Sequence, residues 1–107
     1  MSTTKATKSV IFKILVLGII YKDETYGYDI IEKIKSLSKS EILMKEGTLY
    51  PLLKSLKSSQ LLRSSWKKSK LGKSRKYYSI TERGKVEYKR LISEWNQMNA
   101  MILNLQA

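Results

Sequence analysis

From Lys8 to Tyr21 nearly every position is apolar: Val10, Ile11, Phe12, Ile14, Leu15, Val16, Leu17, Ile19 and Ile20. A run of this length that is apolar on all sides predicts a buried helix, a β-strand being the alternative. Asp23-Glu24-Thr25 interrupts it, and Ile30, Ile31, Ile34 and Leu37 then recur at helical spacing between Tyr26 and Leu37. That spacing predicts a second, amphipathic helix, closed by Ser38-Lys39-Ser40. After Glu41-Ile-Leu-Met44, Leu52, Leu53 and Leu56 mark the apolar face of a third helix. Pro51 has no backbone donor and belongs in a first turn, so this helix is expected to start near Gly47 or Thr48, with Thr48 as its cap.

From Leu61 the period changes. Leu62, Ser64 and Trp66 alternate with Arg63, Ser65 and Lys67, and Tyr77-Tyr78-Ser79-Ile80 resumes in β-favouring residues beyond Gly72. Two short strands joined by a basic loop are predicted. Thr81-Glu82-Arg83-Gly84 opens a last helix, with Thr81 as N-cap and Glu82 favourable in the first turn. Along it Tyr88, Leu91, Trp95, Met98, Ile102 and Leu105 recur in a heptad-like seam, the pattern of a helix that packs on a partner helix. Three helices, a hairpin and a long terminal helix, in that order, describe a mainly α fold with a small β-hairpin. This is a winged helix-turn-helix unit at 1–80 with a dimerisation helix at 81–107, forming one compact body. The segment from Thr48 to Ser58 takes the place of the recognition helix, and the loop between the strands that of the wing.

Size and charge narrow what such a fold is for. The 107 residues fit one domain, with 21 Lys plus Arg against 9 Asp plus Glu, a formal charge of +12, no histidine and no cysteine. Disulfides, thiolate zinc sites and His-based catalysis are therefore excluded, as is the usual near-neutral pH switch. No paired carboxylates or phosphate-cradling glycines suggest an enzyme, and no metal or cofactor is expected. The charge calls for an anionic partner, either nucleic acid or an anionic membrane surface. The start of the chain imitates a secretory signal, but Lys13 breaks the apolar segment and the run from Ile14 to Ile20 is only seven residues. A bilayer span needs about 20 apolar residues, so no membrane partner and a cytoplasmic location are expected.

The cations are concentrated. Arg63, Lys67, Lys68, Lys70, Lys73, Arg75 and Lys76 fall within fourteen residues that contain no acid, and the hairpin reading puts most of them on the wing, where they can meet DNA phosphates. A merely solvated loop would ordinarily carry both signs. On the third helix Tyr50, Lys54 and Lys57 share a face opposite Leu49, Leu52, Leu53 and Leu56, and that face suits a major groove. Thr48 on the same helix, Lys33 and Lys35 on the second, and Lys5 and Lys8 near the N-terminus are further candidates for DNA contact. Trp95 lies on the terminal seam between Leu91 and Met98, where packing across a dimer and stacking on a ligand are both open readings. Lys85, Lys89 and Arg90 beside the same seam leave a membrane-surface helix as a rival to be tested with vesicles. A sequence-non-specific architectural DNA binder is the other rival, and it would show no preference over random DNA.

Tyr26-Gly-Tyr-Asp-Ile30, Glu46-Gly-Thr-Leu-Tyr-Pro-Leu-Leu53, Arg75-Lys-Tyr-Tyr78 and Ile80-Thr-Glu-Arg-Gly84 resemble the PadR family of bacterial transcriptional regulators. The resemblance covers nearly the whole chain. Its shortness, with one terminal helix, is similar to the small subclass that includes a lactococcal multidrug-sensing repressor. The resemblance implies a homodimer that represses transcription by binding double-stranded operator DNA through paired winged helices. It also implies a hydrophobic pore at the dimer centre that takes a planar aromatic small molecule between paired tryptophans. Trp95 matches that tryptophan. The flanking positions are Leu91, Ile92 and Asn99 on the terminal helix and Thr7, Val10 and Ile14 on the first. Asn99 is neutral where the multidrug sensor has an acidic residue that assists cationic drugs, and Leu91 replaces a smaller residue.

Overall fold

The computed structural model describes residues 5–68 and 70–107, with the side chains of 5–7 outside the description. Seven elements follow one another: α1 (Lys5–Lys22), β1 (Thr25–Tyr26), α2 (Gly27–Leu37), α3 (Glu46–Ser58), β2 (Leu62–Lys68), β3 (Ser74–Ile80) and α4 (Glu82–Gln106). All four helices and the hairpin match the expected order. β1 does not: Thr25, expected in a break, and Tyr26, expected to open the second helix, instead pair antiparallel with β3, Thr25 opposite Tyr78 and Tyr26 opposite Tyr77. The sheet order is β1-β3-β2. Two residues are too short for any period-2 signal, and the strand exists because β3 offers it a free edge.

The core forms where three helices and the sheet meet. Val16 and Leu17 of α1, Ile30 and Ile34 of α2, and Leu49 and Leu53 of α3 are all at most 1% exposed, and Leu62 and Tyr78 of the sheet, with Leu61 just before β2, close them. The apolar run of α1 is explained by its packing against α2, α4 and the sheet. Leu37, expected on the apolar face of α2, is instead exposed at that helix's last residue.

α3 departs from expectation at its start. Lys45 is the N-cap, without a side-chain bond, and Glu46 already belongs to the helix. Thr48 is therefore inside the first turn rather than capping it, and Pro51 sits a turn further in than a first-turn proline. The helix tolerates this because the carbonyl Pro51 leaves unbonded belongs to exposed Gly47, within reach of water. Lys45 O accepts from both Thr48 N and Leu49 N at 3.0 Å, so beside the first regular helix bond one of the first-turn donors is satisfied without a side chain.

α4 starts as read. Thr81 caps it, its Oγ1 accepting from Gly84 N at 2.9 Å and donating to Gln60 O at 2.7 Å. A Cβ on Gly84 would stand 2.2 Å from Leu61 O, so only glycine lets α4 press against the α3–β2 connection. Its first half crosses α1, where Lys13 Nζ meets Glu87 Oε2 at 3.0 Å and the rings of Tyr21 and Tyr88 lie 5.5 Å apart. Beyond Leu91 the helix leaves the body, and about 37 Å of helix for its 25 residues accounts for the long 54 Å axis of the molecule.

Candidate nucleic-acid interface

α3 lies with its apolar face on the sheet and its opposite face outward, and between that outward face and the root of the wing runs a groove of about 800 Å³. Tyr50, Lys54, Lys57 and Ser58 line it from α3, Trp66, Arg75, Lys76 and Tyr78 from the hairpin, and Tyr26, Gly27 and Tyr28 from β1 and the start of α2. The sequence had grouped Tyr50, Lys54 and Lys57 on one face and Arg75 and Lys76 on the wing. Folding makes them the walls of one groove. Among the described residues no carboxylate lines it.

Close approach fixes the aromatic wall. A Cβ on Gly27 would stand 2.6 Å from Tyr50 Oη, so the missing side chain is what lets the Tyr50 ring lie across the start of α2. Arg75 stacks its guanidinium 4.5 Å from the Tyr26 ring centroid, and Tyr26 meets Tyr77 edge-on at 5.2 Å. The Arg75 Nε is buried without a hydrogen-bond partner, while the residue as a whole is half-exposed. The stacking therefore aims the guanidinium without using up its donors. Burial, with Tyr50 close by, pushes the Tyr78 hydroxyl above its ordinary pKa, so it stays a neutral donor.

The remaining expected contacts divide. Lys68, Lys70 and Lys73 stand exposed at the ends of the strands and in the turn between them. Lys67 is ion-paired to Glu24 and lies 5.7 Å from the Tyr77 ring, so its charge is partly answered within the chain. Lys33 pairs with Asp29 at 3.0 Å, and Lys35 is exposed near the end of α2. Thr48 faces away from the groove, in a separate concavity with Lys8, Ser9, Phe12, Pro51, Leu52 and Ser55. The groove also contains Tyr26, Tyr28, Trp66 and Tyr78, which charge-based reading passed over. Trp66 is 70% exposed, and its placement among basic residues on an alternating strand was the available signal.

The residues tied to an effector are more scattered. Trp95 and Asn99 line one small concavity of about 80 Å³ with Met98 and Ile102. Ile92 opens instead onto a shallow surface with Tyr88, Lys89, Ser93, Asn96, Gln97 and Ala100. Leu91 is 7% exposed and belongs to the protomer's own core, with Tyr88 packed against it, so neither extends the exposed seam. Val10 is 41% exposed and Ile14 half-buried on α1, and the Thr7 side chain, like that of Lys5, lies outside the described residues.

A helical core, an outward helix beside a basic hairpin and an acid-free groove define a winged helix-turn-helix DNA-binding protein. Residues 16–90 match the transcriptional regulator PadR-like family, and the chain belongs to it. A transcriptional regulator of Streptococcus is 26% identical with a TM-score of 0.85, the match covering 98% of this chain and 100% of that one. A PadR-like transcriptional regulator of Bacillus cereus is 30% identical with a TM-score of 0.82, over 96% and 97% of the two chains. An uncharacterised protein of Lysinibacillus sphaericus is 30% identical over 88 residues, 82% of this chain and 81% of its own. The protein is thus a DNA-binding transcriptional regulator and not an enzyme. No helix among the described residues is long and apolar enough to cross a membrane.

Proposed function

We propose that the protein is a homodimeric repressor that binds a palindromic operator and is released by a planar aromatic effector held between its two α4 helices. The observation that carries the dimer is the uncovered apolar seam of α4: Trp95, Met98, Ile102 and Leu105 are 45%, 57%, 47% and 86% exposed. Four large apolar side chains in one continuing row are more than scattered surface residues, and a second copy of the same helix is the partner that a two-fold axis supplies without any new surface. Two-fold symmetry places the α3 helices on major-groove faces about 34–36 Å apart, which is why the operator is read as palindromic.

The effector reading rests on Trp95. The hollow beside it is far below the roughly 150 Å³ that encloses a benzene-sized guest, so an aromatic ligand needs walls from a second protomer. Such a ligand releases DNA only if it favours the dimer geometry that does not bind, and the coupling is reciprocal. Asn99, neutral at the edge of the hollow, gives no preference for cations.

One experiment tests the sequence: fluorescence titration of the purified protein with duplex from its own upstream region against random duplex, with and without a planar aromatic dye, and an in vitro transcription assay alongside. Specific binding that blocks transcription and is reversed by a dye quenching tryptophan supports the whole proposal. Equal affinity for both duplexes overturns the operator reading in favour of a non-specific architectural binder. Dye binding unchanged in Trp95→Ala overturns the pore.

A further inference from the structure

Beyond the C-terminal end of α3 lies a second concavity of about 640 Å³, lined by Lys57, Gln60, Leu62, Arg63, Ser64, Thr81 and Arg83. Lys57 borders both. Three cations from three elements meet here: Lys57 from α3, Arg63 from β2 and Arg83 from the first turn of α4. Among the described residues none of the three has an ion-pair partner, whereas Lys13, Lys33, Lys67, Lys85 and Arg90 all do. Unanswered like charges set around one hollow repel each other, and a bound anion relieves that repulsion.

The cleft is also rigidly built. Gln60 takes a left-handed backbone, φ 63°, which turns the chain sharply from α3 into β2 and brings Arg63 beside Lys57. Thr81 N donates to Leu61 O at 3.1 Å, Thr81 Oγ1 to Gln60 O, and Gly84 packs directly on Leu61 O. Arg83, between Thr81 and Gly84, is consequently held in fixed relation to the end of α3.

We propose that Arg63 and Arg83, with Lys57, seat a backbone phosphate of duplex DNA, so that the contact surface runs from the wing groove past α3 onto α4. This rests on the chain's binding DNA through α3. It commits to the DNA backbone rather than a free anion because the cleft shares Lys57 with the groove, and three exposed cations hold an isolated small anion weakly. Guanidinium groups match phosphate bidentately. The contact carries no base information, and it joins the DNA to the helix that bears the apolar seam, so a change in α4 tilt is felt at the phosphate.

The test is the salt dependence of duplex binding. Each phosphate contact contributes a slope of about 0.9 in log K against log salt. Arg63→Gln and Arg83→Gln are together expected to lower the wild-type slope by about that amount, each alone by part of it, and to weaken operator and random duplex equally, whereas Arg83→Lys keeps the slope. Lys89→Gln, which removes the same charge from α4 outside the cleft, leaves it unchanged. All three side chains are exposed, and thermal unfolding at the wild-type midpoint checks that the fold is intact. An unchanged slope in the Arg63→Gln/Arg83→Gln double variant, or an equal fall with Lys89→Gln, overturns the cleft. Absence of duplex binding by the wild type would instead overturn the DNA-binding role of α3 on which the cleft depends.

Discussion

α3 and α4 carry similar apolar rows and meet opposite fates. Leu49, Leu53 and Leu56 of α3 are at most 2% exposed, while α4 buries only Gly84 and Leu91 and leaves every large apolar residue from Trp95 to Leu105 open. The difference is in what lies opposite. α3 rests on α2 and the sheet, so its row is spent inside the protomer and its other face is free for DNA. α4 packs on α1 around Glu87 and Tyr88, and from Trp95 onward its row is left uncovered among the described residues. An apolar row in a sequence therefore states that something must cover it, not what does so.

The sharpest break in that comparison is a cavity on each side. Leu53→Ala empties a fully buried position and is expected to lower unfolding free energy by about 2–5 kcal/mol. Ile102→Ala is expected to move the same quantity by less than about 0.5 kcal/mol at protein concentrations where the chain is monomeric. Denaturant melts of both variants at matched dilute concentration check this. Equal losses would mean that the α4 row is already covered within one chain.

The outward face of α3 supplies the next contrast. Lys54→Ala is expected to weaken operator binding by about 1–3 kcal/mol where the lysine reads a base edge, and to leave the melting curve in place. Gel-shift or anisotropy titration against operator and random duplex separates base reading from phosphate contact, since only the former narrows the gap between the two. On α4, Ile102→Glu is expected to weaken self-association at least tenfold, about 1.4 kcal/mol, with the protomer fold retained. Sedimentation equilibrium measures it, and unchanged association would remove the seam from the dimer.

Much of this was legible in the residues. The all-round apolar run of α1, the alternation of β2 and the Thr81 cap each have a local cause, and the structure follows them. What failed was non-local. β1 exists only because β3 has an edge to offer, and α3 starts before its own proline because Gly47 can leave a carbonyl to water. The cations of the groove were visible as a charge run, but its aromatic wall needed Tyr26, Tyr50, Trp66 and Tyr78, far apart in sequence, to converge. Arg83 was read only as part of a helix start, since nothing local shows that it faces Lys57 and Arg63.

The smallest effect concerns how the unburied half of α4 is aimed. Glu87 stands at the crossing of α1 and α4, bonded by Arg90 at 2.7 Å and by Lys13 at 3.0 Å. Those bonds, Arg90's first and Lys13's next, hold its carboxyl down at about 2 against an ordinary 4.5. The folded value is the lower one, so the unfolded chain binds the proton more readily, and Glu87 stabilises the fold fully above about pH 4.5. That contribution fades as the pH falls toward 2. Solvent reaches the pair, which keeps the effect modest. Thermal midpoints of wild type and Glu87→Gln are expected to differ near neutral pH and to converge on acidification through this window, with Arg90→Gln, one turn further along α4, showing a weaker form of the same convergence. A constant gap down to pH 2 would show that Glu87 acts by packing alone. The crossing angle of α4 would then be set by the Tyr21 and Tyr88 rings, with the ion pair a bystander.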